Sequence, residues 1–225
     1  MPARPITPRR AETRQRLIDG AVGVFADRGV LAASVEEICD RAGYTRGAFY
    51  SNFASKADLV RALLEVDRQR WQRNVDDLLS GDLVEQARAH PENFTALLDL
   101  ALRSLIDIQH NERDWVITMA EMRLYAVREP EVRDDYLAHR RVLQGRLRQL
   151  FLEAAAPAGW TFAVPEDVAI QVLDSAYESA VLERTLAGSG PDRGADEPDP
   201  IGPLSHLLGR LVRPAETAGA RPRPY

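Results

Sequence analysis

Residues 34–53 read SVEEICDRAGYTRGAFYSNF, and this stretch decides the fold. Ser34 followed by Glu37 is a capping-box pattern, in which each side chain satisfies the other residue's free backbone N–H at a helix start. Val35, Ile38, Cys39 and Ala42 then fall at i, i+3, i+4 and i+7, which gives that helix one apolar face. Ala42 is small where a second helix must cross, and Gly43 can take the positive φ of a tight turn. A second, very short helix is predicted over Thr45–Tyr50. Ala48, Phe49 and Phe53 can pack inward against Leu17, Phe25 and Ile38, leaving Tyr44, Thr45, Arg46, Tyr50, Asn52 and Lys56 with polar ends outside. A capped helix, a glycine turn and a short helix form the helix-turn-helix pattern.

The outward residues suit DNA. Arg46, near the start of the short helix, can donate two hydrogen bonds to O6 and N7 of guanine in the major groove. Thr45 can cap the helix, contact a phosphate or meet a thymine methyl, while Tyr50 and Lys56 suit phosphates. Gly47 lets the helix backbone sit close to the duplex. Charge points the same way: residues 1–60 hold nine Lys/Arg against seven Asp/Glu, and the remainder 20 against 27, within a net charge of −5. Over residues 1–16, Arg4, Arg9, Arg10, Arg14 and Arg16 face only Glu12. Arg9 and Arg10 sit unfavourably at a helix N-terminus, where the macrodipole is positive, and an anionic partner would offset that cost. On charge alone, a solvated disordered tail remains an equal alternative.

Proline-free stretches between Pro8 and Pro91, Pro130 and Pro157, and Pro165 and Pro191 carry helical rather than alternating periodicity. Helices are predicted from Pro8 to Gly29, from Ser34 to Gly43, from Thr45 to Tyr50 and from Ser55 to about Leu79. Further helices are predicted from Pro91 to His110, Trp115 to Val127, Glu131 to Ala155, from Pro165 onward, and through Leu204–Leu211. No convincing strand run is found, so the fold class is all-α. Residues 188–203 read as a mobile Gly/Pro/Asp linker. The domain reading is 1–55 for a helix-turn-helix domain with a basic arm, 56–213 for a larger helical body and 214–225 for a disordered tail. With 45% apolar and 28% charged residues the chain has ample core material. No apolar run exceeds the six residues Ala21–Ala26, short of the roughly 20 that a membrane span needs. The first residues lack a secretory pattern and Cys39 has no second cysteine to pair with, so a cytoplasmic address is expected.

The stretch from about residue 10 to 64 resembles the N-terminal domain of TetR-type (tetracycline-repressor-like) transcriptional regulators, with its most specific parts in SVEEI, AG-T-GAFY, NF and SKADL. The resemblance implies three DNA-binding helices followed by a helical domain that binds an inducer and dimerises. It implies that Thr45, Arg46 and Tyr50 touch DNA and that Lys56 contacts phosphate. Tyr44 departs from the pattern, where a smaller aliphatic residue is usual, so its ring either packs in the turn or reaches DNA. The resemblance also implies a homodimer through the last two helices. There Ala169, Ser175, Ala176, Ser179 and Ala180 allow close approach, and Leu204, Leu207, Leu208 and Leu211 form a stripe. The alternative is that both stripes are intramolecular core.

For the helical body, Trp71, Phe94, Leu105, Ile108, Trp115, Met119, Met122, Tyr125 and Tyr177 are candidate lining for a small apolar or amphipathic effector. Arg103, His110, Glu121, Arg123 and His139 are candidate polar anchors. Each has the competing reading of plain core or surface. His90, His110, His139 and His206 are scattered without metal-ligand spacing, and no nucleophile-elbow, P-loop or dinucleotide glycine motif occurs. The sequence therefore reads as a dimeric DNA-binding regulator, most simply a repressor released by an effector, with neither enzyme chemistry, metal nor cofactor. A body that binds a protein partner instead of a small molecule is the alternative.

Overall fold

The computed structural model describes residues 7–82, 85–86, 89–110, 113–156, 158–187 and 202–215, without the side chains of Pro91, Ser205 and residues 107–110. Among them are nine α-helices: α1 (Pro8–Arg28), α2 (Val35–Ala42), α3 (Arg46–Asn52), α4 (Lys56–Ser80), α5 (Phe94–His110), α6 (Arg113–Arg128), α7 (Pro130–Ala155), α8 (Glu166–Leu186) and α9 (Gly202–Leu211). A 3₁₀ turn, Pro91–Asn93, precedes α5. The fold is all-α, and every expected helix is present within a turn of its predicted ends. The expected linker over 188–203 lies outside the described residues except for Gly202 and Pro203, which belong to α9.

One expectation is corrected. Trp160–Phe162 (β1) and Val212–Pro214 (β2) pair antiparallel, with Trp160 opposite Pro214 and Phe162 opposite Val212. Ala215 extends this ribbon by donating its N–H to the Gly159 carbonyl at 2.7 Å. The rest of the expected tail, 216–225, lies outside the described residues. Aromatic packing accounts for the ribbon: Phe162 stacks on Phe151 at 3.7 Å, and Trp160 stacks on Phe94 at 5.2 Å. These rings cover a core of Phe94, Phe151, Ala154, Ala155 and Val212.

The chain divides into two compact units, residues 1–72 with 108–143 and residues 73–107 with 144–225. The first is built around α1, whose Leu17, Ala21 and Phe25 are inaccessible to solvent. Ile38 of α2, Phe49 of α3, Leu59 and Leu63 of α4, Met122 of α6 and Val132 of α7 join the same cluster. Each large side chain so buried contributes roughly 1.5–3 kcal/mol. Gly20 marks the crossing of α1 with α2, because a Cβ there would meet the Ala42 Cβ at 3.0 Å and the Ile38 carbonyl at 3.1 Å. Thr118 of α6 donates to the Val22 carbonyl at 3.0 Å, tying α6 to α1.

The first unit also holds a polar knot. The Asp67 carboxylate of α4 accepts the Trp115 indole N–H at 2.9 Å and meets His139 Nε2 of α7 at 3.2 Å. Both ionisable side chains are buried, and His139 Nδ1 has no hydrogen-bond partner. One carboxylate thus joins α4 to α6 and α7.

Candidate nucleic-acid interface

The surface begins with two backbone devices that the sequence specifies. Ser34 Oγ accepts the Glu37 N–H at 3.2 Å while the Glu37 carboxylate accepts the Ser34 N–H at 2.9 Å, so the capping box is closed in both directions. Glu37 also pairs with Arg28 at 3.0 Å. Ser34 foremost, helped by Arg28, holds its carboxyl below the ordinary value near 4.5. At the other end, Gly43 adopts φ 73°, ψ 31°, and the Gly43 and Tyr44 N–H groups bond the Asp40 and Cys39 carbonyls at 3.2 and 2.9 Å. That is the Schellman pair of bonds, which turns the chain without leaving α2's last carbonyls bare. Thr45 then caps α3, accepting the Ala48 N–H at 3.2 Å.

From this turn α3 leaves with Phe49 and Phe53 sealed into the core and Thr45, Arg46, Gly47 and Tyr50 exposed. Tyr50 is half exposed and meets Phe49 edge-on at 5.3 Å, so its ring is braced from behind. Gly47 faces open space: a Cβ there would touch only Thr45 Oγ1, at 3.7 Å. Tyr44 is half-buried against the core, which places its ring in the turn rather than outside. Cys39 is buried, and burial raises its thiol pKa, as for a small core residue.

Arg46 points outward, its side chain 60% exposed, but its head is not free. Nη1 meets Glu36 Oε1 of α2 at 2.5 Å, and the guanidinium lies 6.0 Å from the Tyr50 ring. Tyr50 first, then Glu36, raises its pKa further above the ordinary value. Glu36 was no part of the expected site. The available signal was an acid in the first turn of α2, facing the start of the next helix.

Three expected DNA contacts, Lys56, Asn52 and Arg10, are bonded to carbonyls of the chain itself. Lys56 turns inward: its ammonium donates to the Val30, Leu31 and Ala33 carbonyls at 2.9, 3.1 and 2.9 Å, using all three protons on the α1–α2 loop. Burial lowers its pKa, with Glu129 opposing that shift. Asn52 is half-buried and folds back, its Nδ2 donating to the Ala48 carbonyl at 2.8 Å. Arg10 donates to the Ser51 carbonyl at 2.9 Å, and Arg14, stacked 4.2 Å over the Phe53 ring, donates to the Asn52 carbonyl at 3.0 Å. These two arginines of α1 cap the negative end of α3's dipole, where cations are favoured. Arg9 is exposed, and residues 1–6 of the arm, Arg4 included, lie outside the described residues.

The candidate effector residues are divided between the two units. Trp115, Met122 and Tyr125 belong to the buried cluster of the first unit, with Met119 packed against it. Trp71 is buried in that unit, whereas Leu105 and Tyr177 lie in the second, where the Tyr177 hydroxyl is 3.5 Å from the Leu105 carbonyl. Phe94 is taken up by the aromatic core of the second unit. The Ile108 and His110 side chains lie outside the described residues. Of the polar anchors, His139 is inside the knot with Asp67, and Arg103 pairs with Asp99 at 2.9 Å.

The expected dimer residues differ in their burial. Ala169, Ala180, Leu204, Leu208 and Leu211 are buried within the single chain, and Ala176 and Leu207 are half-buried. The face that α8 leaves outward carries Val168, Val172, Ser175, Ser179, Leu182 and Leu186, of which Val168, Leu182 and Leu186 are 44%, 40% and 73% exposed.

Among the described residues, no group of three His, Cys, Asp or Glu side chains comes together as a metal-ligand set, and no helix is long and apolar enough to cross a membrane. Residues 17–63 match the profile described as bacterial regulatory proteins, tetR family. The chain is 37% identical over 107 residues to the HTH-type transcriptional activator FasR of Mycolicibacterium smegmatis, covering 47% of this chain and 45% of that protein. It is 26% identical over 182 residues to the HTH-type transcriptional repressor AcnR of Corynebacterium diphtheriae, covering 80% of this chain and 84% of the relative. The match thus spans about half of the first relative and most of the second. Among solved structures it resembles Salmonella enterica GusR with a TM-score of 0.68 at 20% identity, over 89% of this chain and 95% of that one.

Proposed function

This chain is a member of the tetR family of bacterial regulatory proteins, and from that premise we propose that it is a cytoplasmic, dimeric, effector-responsive regulator that binds a palindromic DNA operator. The observation that carries the reading is α3. Its capped start exposes Thr45, Arg46, Gly47 and Tyr50 while Phe49 and Phe53 anchor its other face in the core. Arg46 reads a guanine edge, Thr45 and the helix N-terminus meet phosphate, and Gly47 lets the backbone approach. Residues 1–55 form the DNA-binding part and 56–213 the regulatory body. Two copies joined through the last two helices place their α3 helices in successive major grooves, about 34–36 Å apart. The outward stripe of α8 supports this, because its apolar and small residues are spaced every three or four positions along one face.

Repression is the simpler sign, since a dimer seated on an operator obstructs polymerase; AcnR, matched over most of this chain, is named a repressor, although FasR is named an activator. The effector is a small apolar or amphipathic molecule. Its lever is the knot of Asp67, Trp115 and His139, which fixes α4, the helix that follows α3, to α6 and α7. A ligand that bound better to a state with those bonds broken would shift the population away from operator. The matched relatives are named as transcriptional regulators, which supports a regulatory rather than an enzymatic role. To test the proposal, duplexes are selected on the purified protein from its own genome. Recovery of palindromic sites bound by two copies with a steep salt dependence is the expected result. Binding without sequence preference, or by one copy, overturns it.

A further inference from the structure

Once its internal pairings are counted, the outer surface of α2 and α3 is poor in positive charge. Arg41 is held by Asp27 at 2.5 Å, and Glu37 is spent on Ser34 and Arg28. What remains outward on the two helices is Glu36, Asp40 one turn on, and Arg46, a balance of one negative charge. Lys56, Arg10 and Arg14 spend hydrogen bonds on carbonyls of the chain, as described above. Arg46 is α3's one cation, and Glu36 sits against it at 2.5 Å. A surface whose partner is a polyanion therefore keeps a carboxylate at the point where it presents its reading side chain.

We propose that Glu36 sets the DNA affinity of α3: it competes with the duplex for Arg46, so each contact Arg46 makes on DNA is made by giving up this ion pair. This rests on the DNA-binding reading above. The relative strengths decide the outcome. An exposed ion pair such as this one, with side chains 60% and 53% exposed, is worth at most about a fivefold factor. One phosphate contact near 0.15 M salt is worth a similar factor, roughly three- to sixfold. Handing Arg46 from Glu36 to a phosphate therefore gains almost nothing and leaves a bare carboxylate facing the backbone. A bidentate guanine contact discriminates by about 5- to 150-fold and outcompetes the pair. Glu36 thus cancels most of the phosphate contact on non-specific DNA and takes up to about fivefold per half-site from the operator.

The experiment compares wild type, Glu36→Gln, Arg46→Ala and the double variant by fluorescence anisotropy, on a duplex selected by the protein and on a scrambled duplex of equal composition, at several salt concentrations. Glu36→Gln is expected to tighten scrambled binding about three- to sixfold per half-site near 0.15 M salt. It also steepens the scrambled salt slope by about 0.9 per half-site and tightens selected-duplex binding by up to about fivefold per half-site. In the Arg46→Ala background these effects disappear. Equal tightening in that background would make Glu36 an ordinary repelling charge and overturn the proposal. A loss confined to the selected duplex would do so too, because Glu36 would then be bracing Arg46 rather than withholding it. If wild type binds neither duplex in a salt-dependent way, the DNA-binding reading itself falls, and this inference with it.

Discussion

Gly47→Ala separates what α3 needs for folding from what it needs for DNA. Gly47 is the second residue of the helix, its φ is not positive, and an added Cβ would meet nothing nearer than Thr45 Oγ1 at 3.7 Å. The fold therefore accepts the methyl, and replacing glycine by alanine within a helix stabilises by up to about 0.5–1 kcal/mol. For a chain of this length that is a rise in Tm of roughly 1–4 °C. Against a duplex the same methyl is an obstruction, if the backbone lies as close as the glycine permits. Forcing one extra methyl into a packed contact costs about 1–3 kcal/mol, so two half-sites lose about 2–6 kcal/mol, at least thirtyfold in affinity. Thermal melting and anisotropy titration on a selected duplex read the two effects independently. A variant with a raised Tm and weakened operator binding is the predicted combination. Operator affinity equal to or above wild type would refute the close approach of α3's backbone, whatever the melting shows.

Three further predictions follow from the same geometry. Lys56→Met should cost about 1.5–3 kcal/mol in chemical denaturation, since the Val30, Leu31 and Ala33 carbonyls lose a charged donor. The folded variant should keep the wild-type salt slope on DNA; a flatter slope would return Lys56 to the phosphate contacts. Glu37 is held below its ordinary pKa near 4.5, so its contribution is present above that pH and lost as pH falls through the lower folded value. The stability gap between wild type and Glu37→Gln should thus close in acid; a gap unchanged from pH 7 to pH 3 would contradict this. Leu182→Arg, on the outward face of α8, should give a folded monomer by sedimentation equilibrium, and a persistent dimer would place the interface elsewhere.

The helix-turn-helix was legible because its signals are local. The capping box at Ser34 and Glu37, the i, i+3, i+4 face of α2 and the glycine at the turn each act within a few residues. Even Ala42's smallness pointed to a helix crossing, and Gly20 is what it meets. Side-chain destinations set by tertiary approach were not legible. Lys56 and Arg10 look like phosphate ligands in the sequence, but carbonyls 23 or more residues away reach them first. Glu36 was hidden for the converse reason, since an acid in a first turn already has a sufficient explanation in the helix dipole. On α8, apolar residues lie on nearly every side, so periodicity could not choose between Ala169 with Ala180 and Val168 with Leu182 as the outward face. The ribbon joins two three-residue segments about 50 positions apart, too short for an alternating pattern and too distant for a turn signal.

The claim beneath this account is that Arg46, held outward on a short anchored helix, reads a base. Its direct test is the affinity of Arg46→Ala for a selected duplex, for single-base variants of that duplex and for a scrambled one. The account predicts a loss of about 1–3 kcal/mol on the selected duplex, with preference relaxed at one position in each half-site and a smaller change on scrambled DNA. An equal fall on every sequence would contradict it, and would leave Arg46 as one more phosphate contact.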